Sequence, residues 1–166
     1  MDLRIDNEIE IDAPAEQVWR VLGGDFGNIG RWASLIEHSR ALTGDAKGGA
    51  GDVVGRVCTA KGFGEVEEVL TRYDDEARCL TYYASKGLPF FISQAENNWC
   101  VTSLGAQRCR LSAQANVVMK VFPGVLLAPV FRVVMKRKGA QMFEELKFYV
   151  EQGRPHSRKI RQLRRG

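Results

Sequence analysis

The sequence predicts an α+β domain in which a seven-stranded antiparallel sheet wraps around one long C-terminal helix, with two short helices after the first strand. Three observations lead to this fold. Strand-like segments fill the middle of the chain, turn-forming residues separate them, and the segment before Gly153 carries apolar residues at helical spacing. With 166 residues, the chain is long enough to form one domain with a sizeable core.

The N-terminal segment predicts a strand followed by two short helices. Isoleucines alternate with polar residues over Leu3–Ile11, which is the pattern of a strand with one buried face. Pro14 suits the first turn of the helix that follows, and Gly23 ends that helix. A second short helix is expected over Asn28–Trp32.

The middle of the chain predicts six further strands. They are Ile36–Thr43, Val53–Thr59, Phe63–Tyr73, Cys79–Ser85, Phe91–Ser103 and Arg108–Lys120. The breaks between them are rich in Gly, Asp and Pro, which favour turns over strands. Because the connections are short, successive strands are expected to pair in antiparallel fashion as a meander.

The last predicted element is a long helix, which Val125–Pro129 lead into and Gly153 ends. The apolar stripe expected to face the sheet consists of Met135, Gly139, Met142, Phe143, Leu146, Tyr149 and Val150. The opposite, polar face consists of Lys136, Arg137, Lys138, Gln141, Glu144, Glu145 and Lys147. Gly139 and Ala140 in mid-helix have two interpretations: close packing on a bulky strand residue, or space left for a ligand.

The net charge of +4 is a property of the C-terminal tail. Residues 154–166 contain six Lys/Arg and no acidic residue; taking those six from the 24 basic residues leaves 18, against 20 acidic residues. A mildly acidic body argues against a nucleic-acid-binding surface. We therefore expect a domain over residues 1–153 and a basic, flexible tail over 154–166, with a short amphipathic helix in the tail as the alternative.

The four cysteines are expected to be reduced and buried, because each lies in an apolar or strand-like run and none forms a C-x-x-C pair. A cytoplasmic location follows from reduced cysteines and from an N-terminus without the pattern of an export signal. No apolar run reaches the ~20 residues of a membrane span. The expected oligomeric state is a monomer or a homodimer.

The sequence contains no catalytic or phosphate-binding motif such as G-x-S-x-G, H-E-x-x-H or a P-loop. His38 is expected at a strand end on the surface, and His156 lies in the tail. No histidine lies near a cysteine pair to complete a zinc site. We therefore expect neither a metal ion nor a cofactor.

Glu68 is the candidate polar group of the predicted pocket. Val66, Glu68 and Leu70 share one face of their strand, so Glu68 faces the pocket if Leu70 does. An apolar cavity disfavours a carboxylate charge unless a cation or a water network meets it. Glu68 would then be a polar handle for a ligand or a general base; the alternative is that it points into solvent with Glu65 and Glu67.

A resemblance to the START-like superfamily, in particular its polyketide cyclase/dehydrase and lipid-transport branch, rests on three stretches. The opening of that branch is similar to Ile9–Ser39, IEIDAPAEQVWRVLGGDFGNIGRWASLIEHS. Its E-x-L-x-x-Y-D-D-x-x-R-x-L-x-Y stretch is similar to Gly64–Ser85, GEVEEVLTRYDDEARCLTYYAS. The end of its long helix is similar to Val150–Pro155, VEQGRP. The resemblance covers roughly residues 5 to 155.

The resemblance implies a helix-grip fold, as in birch-pollen allergens and plant abscisic-acid receptors, with a cavity between the sheet and the long helix. In those receptors a strand Glu two residues before a Leu meets the ligand, and by motif this position is Glu68. The expected rim of the cavity is formed by the loops Thr59–Gly64 and Ser85–Phe91. The candidate ligand-binding residues are Trp32, Glu68, Leu70, Leu80, Tyr82, Leu88, Pro89, Trp99, Gly139 and Met142.

Three functions are compatible with this pattern. The first is binding or transport of a small hydrophobic ligand such as a lipid or a polyketide, and it is favoured because no acid/base pair stands out. The second is a polyketide cyclase or dehydrase that uses Glu68. The third is a regulatory module whose basic tail contacts an acidic partner or an anionic membrane.

Overall fold

The computed structural model describes residues 1–45, 49–60, 62 and 64–164, apart from the side chains of 123–125. The strands are β1 Asp2–Ile11, β2 Ile36–Thr43, β3 Val53–Ala60, β4 Gly64–Asp74, β5 Cys79–Lys86, β6 Ile92–Gly105 and β7 Arg108–Met119. The helices are α1 Ala15–Trp19, a π-helical turn Arg20–Gly24, a 3₁₀ helix Phe26–Arg31, α2 Val121–Gln152 and α3 Ser157–Leu163.

The strands form one antiparallel sheet in the order β1-β7-β6-β5-β4-β3-β2, so the predicted fold is confirmed. Strands that follow each other in the chain are hydrogen-bonded neighbours from β2 to β7, and β1 pairs with β7. The helix α2 packs across β1 and β7, which places its buried stripe over the concave side of the sheet. Phe63, predicted to begin the fourth strand, lies outside the described residues.

The helix α2 begins earlier than the sequence predicted. It starts at Val121, although Phe122 has extended backbone angles, and Pro129 lies inside it. Because a proline removes one hydrogen bond from a helix interior, the sequence pattern favoured Pro129 as part of the segment that leads into the helix. Gly153 ends the helix with a φ of 66°, as its sequence position predicted. Among the described residues, no helix is long and apolar enough to cross a membrane.

The predicted flexible tail over 154–166 is wrong for Ser157–Leu163, because these residues form α3 against the body of the domain. Lys159 is fully buried, and its Nζ donates a hydrogen bond to the carbonyl oxygen of Ile36 at 2.8 Å. A cation in a buried position needs such partners, and the sequence pattern did not reveal them. The helix that was the alternative for the tail therefore forms, but it packs on the chain itself.

Glu145 was predicted on the solvent face of the long helix, and this prediction is wrong. Its side chain is fully buried and accepts hydrogen bonds from the backbone N of Ser34 at 2.7 Å and from Arg158 Nε at 2.8 Å. Ser34 Oγ and Gln141 Nε2 also donate to its Oε1, at 2.6 Å and 3.1 Å. Glu145 thus joins α2, α3 and the loop before β2, because burial of a charge is tolerated where several donors meet it.

The prediction of four reduced cysteines is also wrong. Cys79 and Cys100 are directly opposite each other on β5 and β6 and form a disulfide, whereas Cys58 and Cys109 are free and buried. Antiparallel register brings opposite residues close together, and here the two Cα atoms are 4.2 Å apart. The spacing of the cysteines along the sequence does not reveal the register of β5 and β6. The expected cytoplasmic location loses the support that it took from reduced cysteines.

A thiol titration should reveal two free thiols in the unfolded, unreduced protein and four after reduction. In the folded protein both free thiols should react slowly at neutral pH, because burial raises the pKa of Cys58 to about 11 and also raises the pKa of Cys109. The measurement is reaction with a colorimetric disulfide reagent, with and without urea. Four thiols in unfolded protein that was never reduced would contradict the disulfide.

Candidate ligand-binding cavity

A cavity of about 240 Å³ lies between the sheet and α2. All seven strands contribute lining residues to it, and so does α2, from Phe131 to Phe143. Its walls are mainly apolar, because the alternating positions of the strands turn their small and aliphatic side chains inward. The predicted pocket between sheet and helix is therefore present.

The cavity divides the apolar core of the described residues into two clusters. One cluster contains Trp99 and Phe143 with the buried residues of α1, and the other contains Ile92, Val117 and Phe131 near the start of α2. Members of both clusters line the cavity. The space is therefore a gap in the middle of the core, between two packed regions.

Seven of the predicted ligand-binding residues line the cavity. They are Glu68, Tyr82, Leu88, Pro89, Trp99, Gly139 and Met142. Trp32, Leu70 and Leu80 do not: they are 3%, 2% and 0% exposed and belong to the cluster around α1. Leu70 and Leu80 follow the correct strand alternation but lie farther along their strands, where α1 and the end of α2 fill the space.

Glu68, which lines the cavity, forms an ion pair with Arg56. The two residues are directly opposite on β4 and β3, and Arg56 Nε donates to Glu68 Oε2 at 2.5 Å. Their side chains are 18% and 5% exposed, respectively, so the pair is largely shielded from solvent. Glu68 is thus placed on the wall of the cavity, and not in solvent with Glu65. Sequence reasoning missed Arg56, although the residue opposite Glu68 follows once the two strands are paired in register.

Arg56 is held by its surroundings as well as by Glu68. Its Nη1 donates to the carbonyl oxygen of Phe26 at 3.1 Å, and its guanidinium lies 4.0 Å from the ring centre of Phe26 and 5.0 Å from that of Tyr82. Burial disfavours its charge, but the neighbouring Glu68 carboxylate keeps the pKa of Arg56 above its ordinary value. The cation is therefore permanent, and stacking on both rings restricts its orientation.

Tyr82 and Trp99 provide two further polar groups in the lining of the cavity. Burial, followed by the Glu68 carboxylate, raises the pKa of Tyr82, so its hydroxyl stays protonated at neutral pH. The nearby indole N–H of Trp99 works against this increase and lowers the pKa of Tyr82. However, Trp99 Nε1 has no acceptor in hydrogen-bonding geometry within the part of the chain described. A buried donor without an acceptor costs about 1–3 kcal/mol, and such groups often mark binding sites.

Gly139 lets α2 pack closely against Asn7 of β1 at the side of the cavity. A Cβ atom at this position would lie 2.5 Å from Nδ2 of Asn7, so a larger residue would push the helix or Asn7 aside. Both residues line the cavity. Close packing against a strand residue therefore accounts for the glycine, and Gly139 borders the cavity at the same time.

The loop between β5 and β6 forms part of the cavity wall, through Gly87, Leu88 and Pro89. Gly87 has a φ of 82°, and a Cβ there would collide with the carbonyl oxygen of Glu65, so this turn requires glycine. In the other predicted rim loop, Ala60 lines the cavity, whereas residues 61 and 63 lie outside the described residues. In the described ranges no group of three His, Cys, Asp or Glu residues is placed to hold a metal ion.

The family model for polyketide cyclase/dehydrase and lipid transport matches residues 2–151, which include all seven strands and nearly all of α2. The chain belongs to the polyketide cyclase/dehydrase and lipid-transport family. This is the polyketide cyclase/dehydrase and lipid-transport branch that the sequence motifs resembled, so that prediction is confirmed. No curated protein matches the sequence.

Solved structures share the fold of this family member at low sequence identity. A START superfamily protein from Mycobacterium smegmatis has a TM-score of 0.73 and 16% identity, over 90% of this chain and 97% of that one. The aromatase/cyclase Zhui from Streptomyces sp. R1128 has a TM-score of 0.74 and 16% identity, over 92% and 95%. A norcoclaurine synthase mutant from Thalictrum flavum has a TM-score of 0.67 and 17% identity, over 92% and 96%. These likenesses concern the fold alone.

Proposed function

We propose that this family member binds a small amphipathic molecule in the cavity between the sheet and α2, and releases it unchanged. The observation that carries this proposal is the distribution of polarity in the cavity. The lining is mainly apolar, through Leu88, Ile92 and other aliphatic side chains, and it contains a few polar groups, among them Tyr82, Asn97 and Glu68 with its ion-pair partner Arg56. A molecule with an apolar body and a polar group fits this lining.

The apolar walls would supply most of the affinity, at ~25 cal/mol for each Å² of apolar surface removed from water. The volume of about 240 Å³ is slightly below the ~300–1,000 Å³ that is usual for pockets of drug-sized ligands. It suits one or two rings or a short chain better than a whole diacyl lipid. We therefore place the ligand among small aromatic or aliphatic compounds.

The polar groups of the lining would select ligands that carry a hydroxyl or carbonyl group. Trp99 Nε1 offers a donor without an acceptor, and Glu68 Oε1 makes no hydrogen bond among the described residues. A ligand oxygen that accepts from Trp99 would satisfy the first group, and a ligand hydroxyl that donates to Glu68 would satisfy the second. Each such bond is worth roughly 0.5–1.5 kcal/mol net, and more when it meets a charged group.

The two rival functions have weaker support. A cyclase or dehydrase needs Glu68 to meet a tyrosine or water, and no hydrogen bond joins Glu68 to Tyr82 in the described structure. The regulatory alternative relied on a free basic tail, whereas Arg158 and Lys159 of that tail are bound to the body of the domain. Ligand binding requires neither a hydrogen-bonded partner for Glu68 nor a free tail, and the cavity that it does require is present.

Filling the cavity should weaken ligand binding without unfolding the protein. Ala95 and Ala115 line the cavity, so the double variant Ala95→Leu/Ala115→Leu places six additional carbon atoms inside it. We expect at least about tenfold weaker binding of the neutral fluorescent probe N-phenyl-1-naphthylamine, a loss of ~1.4 kcal/mol. Native mass spectrometry of the purified protein should show a co-purified small molecule in wild type and less of it in the variant.

The matched control is Ala140→Leu, the same substitution on the exposed side of α2. This control should bind the probe as wild type does, and the melting temperatures of all the proteins define which of them are folded. Probe binding that is equal in the folded double variant and in wild type would place the probe outside the cavity and would overturn the proposal.

A further inference from the structure

The first half of α2 carries a large apolar surface that the domain leaves uncovered. We call it the α2 apolar face; it consists of Val121, Phe122, Leu126, Leu127, Val130, Val133 and Val134. The exposed fractions of these residues run from 38% at Leu127 to 80% at Phe122. Contiguous apolar patches on a soluble protein usually mark a surface that meets a partner or a membrane.

In this region α2 carries apolar residues on a buried side and on an exposed side. Packing in the core explains only the buried side. Ala128 and Phe131 are turned inward and buried against β1, β6 and β7, and Met135 packs beside them. At helical spacing, Leu126, Val130 and Val133 point away from these residues, and Leu127 and Val134 border them. Val121 and Phe122 precede the regular part of the helix. The core is therefore complete without the α2 apolar face, and the apolar character of that face requires another contact.

The charges beside the α2 apolar face are all positive. The segment Lys120–Lys138 contains five Lys/Arg and no Asp or Glu. Lys120, Arg132, Lys136 and Arg137 are exposed. An apolar stripe flanked by basic residues is the pattern of a helix that lies in the interface of an anionic membrane, because aliphatic groups enter the lipid while cations attract the headgroups.

The α2 apolar face adjoins the part of the cavity wall that Phe131, Leu88 and Pro89 form. Phe90, which is 73% exposed, stacks edge-on against Phe91 at 5.5 Å between ring centres, and Phe91 does the same with Phe131 at 5.9 Å. Phe131 lines the cavity, as do Leu88 and Pro89 of the same loop. A surface that contacts this part of the molecule therefore meets the loop that forms the cavity wall.

We propose that the α2 apolar face and Phe90 dock on the surface of an anionic phospholipid bilayer. The aliphatic side chains and Phe90 would enter the interface, and the flanking cations would pair with phosphate groups. Docking would place the adjoining part of the cavity wall against the lipid. The proposal rests on surface residues and charge, so it stands whether or not the cavity holds the ligand class proposed above.

Charge distinguishes a bilayer from the main competitor, a second copy of the chain. In a symmetric dimer built on the α2 apolar face, both copies would bring their cations to the same interface, and no carboxylate of Lys120–Lys138 would neutralise them. An anionic lipid surface supplies the missing negative charge. The two occupants predict different results in the experiment below.

The experiment is flotation of the full chain with vesicles of equal parts phosphatidylcholine and phosphatidylglycerol, and with vesicles of phosphatidylcholine alone. We expect binding to the anionic vesicles that weakens at high salt, and at least tenfold weaker binding to the neutral ones. The variant Leu126→Glu/Val130→Glu should lower the partition coefficient at least about tenfold. The matched control, Leu104→Glu/Leu163→Glu, changes two exposed apolar residues elsewhere and should bind as wild type does.

A second pair of variants separates α2 from the basic tail. Arg132→Gln/Lys136→Gln should weaken binding about 25-fold, at about fivefold for each cation removed. Arg161→Gln/Arg164→Gln removes two exposed cations next to or within α3 and should have little effect. All four variants change exposed side chains, and unchanged binding of N-phenyl-1-naphthylamine in solution would show that the cavity is intact.

Three outcomes would overturn the proposal. The first is no binding of wild type to anionic vesicles. The second is equal binding by wild type and Leu126→Glu/Val130→Glu. The third is a concentration-dependent dimer in sedimentation that this variant dissociates, without vesicle binding, which would assign the surface to a second copy. Failure of probe binding alone would affect only the proposed ligand.

Discussion

Replacing Arg56 by leucine is expected to lower the free energy of unfolding by roughly 3–5 kcal/mol. The change would leave the Glu68 carboxylate without its cation in a cavity where it is 18% exposed. It would also remove the donor to the carbonyl oxygen of Phe26 and the contact with the ring of Tyr82. Urea denaturation, followed by tryptophan fluorescence, measures the loss.

The double variant Arg56→Leu/Glu68→Leu tests the cause of this effect. Because it replaces both charges by apolar side chains, it should be clearly more stable than Arg56→Leu, with a coupling of about 1–3 kcal/mol between the two sites. Glu68→Leu alone should also be destabilised, since it leaves a buried guanidinium without an anion. Additive effects of the two single changes would show that the ion pair has no energetic role.

Deleting α3 by ending the chain at Pro155 is expected to destabilise the domain by roughly 3–5 kcal/mol. The deletion removes Arg158 from the fully buried Glu145, and it removes Lys159 from the carbonyl oxygen of Ile36. Ser34 and Gln141 would then be the remaining partners of Glu145. The free energy of unfolding in urea is again the measurement.

Two comparisons show whether the lost stability comes from the charge of Glu145. Glu145→Gln in the truncated chain should recover part of the loss, because a neutral amide needs no cation. Arg161→Ala/Arg164→Ala in the full chain changes exposed residues and should stay within about 0.5 kcal/mol of wild type. A truncated chain as stable as the full one would contradict the docking of α3.

The sheet could be predicted from the sequence because its pattern is local. Every strand shows alternation or a run of β-type residues bounded by turn residues, as in Ile36–Thr43, and the connections are too short for other topologies. The same alternation placed Glu68 on one face with Val66 and Leu70, but it left open whether that face meets the pocket or solvent. Once sheet and helix were placed, a space between them followed from the fold.

The contacts that were missed all depend on residues far apart in the chain. Glu145 fits a solvent-exposed helix position by spacing, and its burial depends on α3 and on the loop before β2. Cys79 and Cys100 pair because the register of β5 and β6 places them opposite each other. The extent of the cavity depends on side-chain packing, which is why Leu70 and Leu80 belong to the core instead.

The gap between the two apolar clusters has a consequence for the amount of this protein in a cell. Under the proposed function, a molecule bound in the cavity would supply dispersion contacts between the two clusters. It would act as a replaceable part of the core and would stabilise the folded form by RT ln(1 + [L]/Kd), ~2.7 kcal/mol at a hundredfold excess over Kd. Proteases remove chains that unfold, so the empty form would be degraded first and the supply of ligand would set how long the protein persists.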